Sequence, residues 1–93
     1  MTAFDWDAEK ERKNFRKHGV TFAEAQTAFD DPLARIDDDP DHSAGEHREI
    51  LIGYSHERRL LVVSFAQRGE VLRIISARPA AARERKRHEK ENS

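Results

Sequence analysis

Cysteine is absent from the sequence, and with it go disulfide frameworks, zinc–thiolate centres and thiol nucleophiles; a reducing cytoplasm is the expected setting. No apolar stretch approaches the roughly 18 residues that a membrane-spanning helix needs. The opening Met1-Thr2-Ala3-Phe4-Asp5 lacks the charged-then-apolar order of a secretory signal, so neither export nor a membrane partner is expected. Hydrophobic residues are also in short supply, at 37% of 93 residues, enough for one modest core and too little for two. One domain spanning 1–93 is the expected organisation, and no internal repeat divides it. What the chain has in quantity is charge, 38% of its residues, yet apolar runs such as LLVVSF and LRIIS keep it out of the disordered class.

The formal net charge of −1 conceals a strong asymmetry: residues 1–19 carry +1, residues 20–58 carry −7 and residues 59–93 carry +5. A bound polyanion responds to the local field, which physiological salt screens beyond roughly 8 Å. The near-zero total therefore does not exclude nucleic acid as a partner.

The pattern predicts an α+β fold with two N-terminal helices, a four-stranded antiparallel sheet and a C-terminal helix. Asp7 is placed to cap the first helix and Gly19 to end it; Ala8 and Phe15, with Trp6 at the entrance, form its narrow apolar stripe. Thr21 and Glu24 have capping-box spacing for the second helix, Val20 can staple onto Ala25, and Phe22, Ala25 and Phe29 supply the buried face. Trp6 and Phe29 are the expected core anchors. From Leu33 the period changes to two, with strands expected over Leu33 to Ile36, His47 to Tyr54, Arg59 to Gln67 and Val71 to Arg78. Pro79 suits the first turn of the last helix, where its missing donor would be unpaired anyway.

Chemistry points to the last strand and helix, where Arg68, Arg73 and Arg78 precede a run containing Arg83 and Lys86. Guanidinium groups are permanently charged and offer phosphate a planar fork of donors. Strict alternation sends Arg73 and Arg78 to opposite faces, unless a bulge or the strand end brings them together. Of the five histidines, His18 caps a helix and His56 lies in a turn, while His42 follows an acidic loop. His47 opens a strand between Glu46 and Arg48, and His88 faces the sheet from the last helix. Glu84 and Lys17 are further base or orienting candidates.

Asp37, Asp38, Asp39, Asp41 and His42 depart from the calcium-loop pattern, because Pro40 interrupts them and the Gly and Glu of that pattern are missing. No metal site is expected there. The acidic connection repels RNA locally, and can hold a basic partner or steer substrate to the opposite corner. KHGVTFAEAQ mimics the joint of a helix-turn-helix, yet the helix that would read DNA begins Thr21-Phe22-Ala23-Glu24, without the basic or amide side chains such a helix needs.

Three motifs in order, FDWD with KHGVTFAEA and FDDPL, then DPDHSAGEHRE with LIGYS, then RLLVVSFAQRGEVLRIISARP with the basic helix after it, resemble the BrnT family of type II toxins across residues 4–89. The resemblance implies a RelE-like endoribonuclease that cleaves RNA without a metal or other cofactor and so inhibits translation. It also implies a BrnA-like antitoxin that covers the RNA-binding surface, a heterotetrameric complex, and contact with operator DNA only through that complex. Where the family leads one to expect a tyrosine near the end of the last helix, this chain has His88. The candidate catalytic residues are Arg48, Arg73, Arg78, His47, His88 and Glu46, and the candidate RNA-binding residues are Arg68, Lys17, Arg83 and Lys86. The competing reading is a non-catalytic module that uses the same Arg-rich corner to hold nucleic acid or an acidic protein.

Overall fold

The structure, a computed structural model, describes residues 2–42 and 45–92. Ser43 and Ala44 of the acidic connection lie outside the described residues. The chain runs β1 (Ala3–Asp5), α1 (Ala8–His18), α2 (Phe22–Thr27) with a 3-10 turn at Ala28–Asp30, and β2 (Arg35–Asp38) with a second 3-10 turn at Pro40–His42. It continues through β3 (Arg48–Tyr54), β4 (Leu60–Arg68), β5 (Val71–Pro79) and α3 (Ala82–Glu91). Among the described residues no helix is long and apolar enough to cross a membrane.

The α+β expectation stands, with one correction to the sheet. It has five strands in the order β1-β5-β4-β3-β2; β2 to β5 form an antiparallel meander, and β1 adds a parallel edge against β5. Ala3–Asp5 is too short to carry a period, which is why pattern reading passes over it.

Local chemistry fixes the helices. The Asp7 carboxylate accepts the N–H groups of Glu9 and Lys10 at 2.8 and 3.1 Å, and these bonds lower its pKa. Gly19 ends α1 at φ 68°, and the Thr21 hydroxyl accepts the Glu24 N–H at 3.0 Å. The Glu24 side chain does not close the capping box; it turns inward to Arg59 and Ser55. Pro79 also departs from expectation, since it ends β5 opposite Leu61, and α3 starts at Ala82 after Ala81 as cap. β2 starts two residues later than the pattern predicts. The Asp31 carboxylate takes the Leu33 and Tyr54 N–H groups at 3.0 and 2.8 Å, so Pro32 and Leu33 belong to a turn.

Helices α1 and α2 cover one face of the sheet, where Val20, Phe22 and Ala25 meet Leu61, Val63, Ile74 and Ala77. Trp6 and Phe29 are only half-buried and pack edge-on, Trp6 against Phe22 at 6.0 Å and Phe29 against both Phe4 and Phe65 at 5.0 Å. The α1 stripe is another correction, because Phe15 is half exposed and the buried residue is Asn14. Its amide donates to the Val20 and Ala77 carbonyls at 3.1 and 2.8 Å and accepts the Ala77 N–H at 3.1 Å, clamping α1 to β5. On the opposite face Leu60, Val62 and Ala80 pack with Ile50 and Ile52, and α3 inserts His88 beside Tyr54.

Gly53 of β3 lies close against the Ala28 backbone and the Ala34 side chain. A Cβ there would meet the Ala28 carbonyl oxygen at 3.0 Å and the Ala34 Cβ at 2.9 Å. Gly53→Ala should therefore destabilise the fold by about 1–3 kcal/mol, read as a lower urea midpoint at unchanged slope.

Candidate active site

The site is built by an irregularity in β5. Ser64 pairs with Ser76 and Phe65 with Ile74, so Ile75 is an extra residue that resets the side-chain alternation. Arg73 then lies opposite Ala66, which lies opposite Arg48, and Arg78 lies opposite Val62 of the α3-side cluster. Arg73 and Arg78, which strict alternation would send to opposite faces, therefore share one, and Arg48 lies on it too. Ala66 is fully buried between Arg48 and Arg73, two strand spacings or roughly 10 Å apart at their Cα atoms, with no bulky side chain to separate them.

Carboxylates organise these cations. Arg68 holds Glu46 through Nε at 2.7 Å and Nη2 at 3.2 Å, which lowers the Glu46 pKa and raises that of Arg68; Arg48 and Arg73 contribute to the same field. Arg73 pairs with Asp5 at 3.3 Å. Arg78 grips Glu84 with both arms, at 2.7 and 2.9 Å, while Glu84 also accepts the Ala81 N–H at 2.8 Å. The Arg78 fork, with help from Ala81, holds the Glu84 carboxyl down to about 2.

A depressed carboxyl pKa adds stability above its unfolded value near 4.5, and that stability fades as pH falls through the folded value near 2. Glu84→Gln should cost about 1 kcal/mol at neutral pH, allowing for solvent screening of this half-exposed pair. Urea melts should show the gap to the parent protein narrowing as pH falls below about 4.5.

Between Arg48 and Arg78 lies a cleft of about 250 Å³. Its floor carries Ser64 and Ser76, cross-strand neighbours, beside Ile50, Val62 and Ile75. One wall is the 3-10 turn Pro40–His42, where His42 Nδ1 sits 3.0 and 3.1 Å from the two Asp39 carboxylate oxygens. This pair orients the imidazole by the geometry used for general bases. His42, set aside in sequence as a loop residue, is thus the histidine that borders the cleft, and Ser64 and Ser76 were not candidates at all. The spacing of Arg73, Ser76 and Arg78, three and then two, was the available sign of the bulge.

The other candidates lie elsewhere. His47 pairs with Asp38 at 3.1 Å, and with Glu49 these are the one group among the described residues whose ligand-type atoms fall within 4.8 Å of one another. Glu49 lies opposite Phe65, on the α2 side of the sheet and away from the cleft. His88 is buried under α3 against Tyr54, in a separate cavity with Arg35 and Arg87. Lys17 is exposed on α1, across the sheet. Arg83 adjoins Arg78 at the start of α3, and Lys86 is exposed further along it. A larger cavity, about 600 Å³ along Arg12, Phe15 and Arg16, is on the outer side of α1 and is lined by none of the candidate residues.

Residues 6–84 match the family model of the ribonuclease toxin BrnT of type II toxin–antitoxin systems. The chain belongs to this family. As a BrnT-family member it is a ribonuclease toxin, a type whose partners are RNA and an antitoxin. It is similar to the crystal structure of the Brucella abortus ribonuclease toxin BrnT, with a TM-score of 0.69 and 25% identity over 87% of this chain and 99% of that one. The sequence matches no curated protein. Brucella BrnT and this toxin therefore share a scaffold at low identity.

Proposed function

We propose that this toxin cleaves RNA without a metal, by attack of a 2′-hydroxyl on the adjacent phosphate in the cleft between Arg48 and Arg78, and so inhibits translation. The carrying observation is the β5 bulge, which sets Arg73, Ser76 and Arg78 on the face that holds Arg48. His42, oriented by Asp39, takes the 2′-hydroxyl proton as the new P–O2′ bond forms. Arg48 and Arg78 neutralise charge building on the phosphoryl oxygens, which supplies much of the acceleration. The P–O5′ bond breaks and the departing oxygen takes a proton from water at the open mouth. Arg68 and Arg73 extend the cationic track for flanking phosphates, and Arg83 and Lys86 continue it along α3. Glu46 is a poor base because Arg68 keeps it ionised at low pH, and His47, His88 and Lys17 take no part.

The partner in this reading is a BrnA-like antitoxin in a two-plus-two complex, with operator DNA bound through the antitoxin. Incubation with total RNA in excess chelator tests the chemistry. Cleavage should persist, leave 2′,3′-cyclic phosphate and 5′-hydroxyl ends, and stop when the scissile ribose lacks its 2′-hydroxyl. Activity that dies on chelation and returns with magnesium or manganese would overturn the metal-free reading.

A further inference from the structure

Among the described residues β2 is the outermost strand at its end of the sheet, with no strand beside one side of its backbone. Asp39 donates its N–H to the Arg48 carbonyl at 2.9 Å. Alternation therefore turns the N–H and C=O groups of Ile36 and Asp38 toward the open side. Edges are usually blunted by proline, charged side chains or an overlying element; Arg35–Asp38 has no proline or lysine, Arg35 is held by Glu91 of α3, and the charges left on the strand, Asp37 and Asp38, are acidic. Apolar side chains stand exposed around it instead: Leu33 is 55% and Ile36 52% accessible, with Tyr54 nearby at the end of β3. Open backbone and exposed aliphatic groups together make a template for an added strand.

Charge selects the occupant. Asp37 and Asp38 lie on the strand, Asp41 follows, and residues 20–58 carry a net −7. RNA is repelled from such an edge. A second copy pairing edge to edge would bring aspartates of two chains together, an arrangement that costs stability. A basic segment alternating with apolar residues fits both features.

We propose that β2 is the docking edge for the antitoxin, which adds an extended basic and apolar segment to the sheet; this rests on the chain being a type II toxin. The added strand runs past Asp38 to the turn Pro40–His42, the wall of the cleft, so neutralisation works by fixing that wall and closing the mouth.

The test uses the toxin co-expressed with the product of the reading frame adjoining its gene. Asp37→Lys reverses an edge charge, and Ile36→Pro removes an outward donor while sparing the β2–β3 ladder. Both variants, folded by circular dichroism, should cleave RNA at the parent rate yet bind the partner about 30-fold more weakly and escape neutralisation. Amide exchange at Ile36 and Asp38 should slow on complex formation. Parent-like affinity of Asp37→Lys, or exchange protection confined to the Arg48–Arg78 face, would overturn the proposal. Failure of the ribonuclease reading shows separately, as absence of cleavage by the free parent toxin, and leaves the binding and exchange readouts intact.

Discussion

Arg48→Ala and Arg78→Ala should each lower the rate of RNA cleavage by about 100- to 1000-fold, the effect of removing one fixed donor from a site of developing negative charge. The fall should lie mainly in kcat, because the guanidinium groups matter most when the phosphate gains charge, whereas KM reflects contacts spread along the cationic track. Lysine should rescue either position poorly, since a point charge cannot reproduce a planar fork, which at Arg78 must also hold Glu84 while it faces the phosphate. The double variant should be far less impaired than the product of the two single effects, as expected when both cations act on one phosphate. Lys17→Ala is the matched control: it removes a cation from the opposite side of the sheet and should leave kcat within about twofold. Arg78→Ala leaves the Glu84 carboxylate on the Ala81 N–H, so the folded state survives, and circular dichroism can check this. Rates within about threefold of the parent for both arginine variants would remove the cleft from the chemistry.

Much of this arrangement is written in short-range pattern. The caps at Asp7, Gly19 and Thr21 were legible because each side chain or torsion acts within a few residues of itself. The meander was legible because β3, β4 and β5 are joined by tight turns. What pattern reading missed depends on contacts distant in sequence. Strand β1 exists only because Ala3–Asp5 finds β5, some 68 residues away, at Ala3↔Val71. Asn14 reads as a polar residue on an exposed helix until Ala77, 63 positions later, supplies its partners. The bulge at Ile75 carries no glycine or proline, so only the irregular polar spacing and the burial of both Ile74 and Ala77 betray it. His42 depended on a 3-10 turn folding back over β3, which no local period encodes.

The largest stability effect should come from Arg59→Ala. Glu24 is 7% exposed and its carboxylate meets Arg59 Nε at 2.9 Å, a second contact with Arg59 Nη2, and the Ser55 hydroxyl at 2.7 Å. Arg59 also caps α1 through the Gly19 carbonyl at 3.1 Å, so one side chain joins both N-terminal helices to the β3–β4 turn. Removing it strands a desolvated carboxylate, which costs about 3–5 kcal/mol in a fully buried pair. The Arg59 side chain is 40% exposed, so water enters and about 2–3 kcal/mol is the expected loss. For a domain of this size that lowers Tm by about 10–20 °C. The sign with pH separates this account from lost packing. In the parent protein Arg59 holds the Glu24 pKa below 4.5, so its support is full above that value and fades as pH falls through the folded one. Without Arg59, burial opposes ionisation instead, and protonating Glu24 relieves the penalty. The gap between parent and variant should thus be widest near neutrality and shrink under acid, and Glu24→Gln should recover part of the loss in the double variant at pH 7. A gap that is constant with pH, and no recovery in the double variant, would mean that Arg59 acts through its aliphatic stem alone.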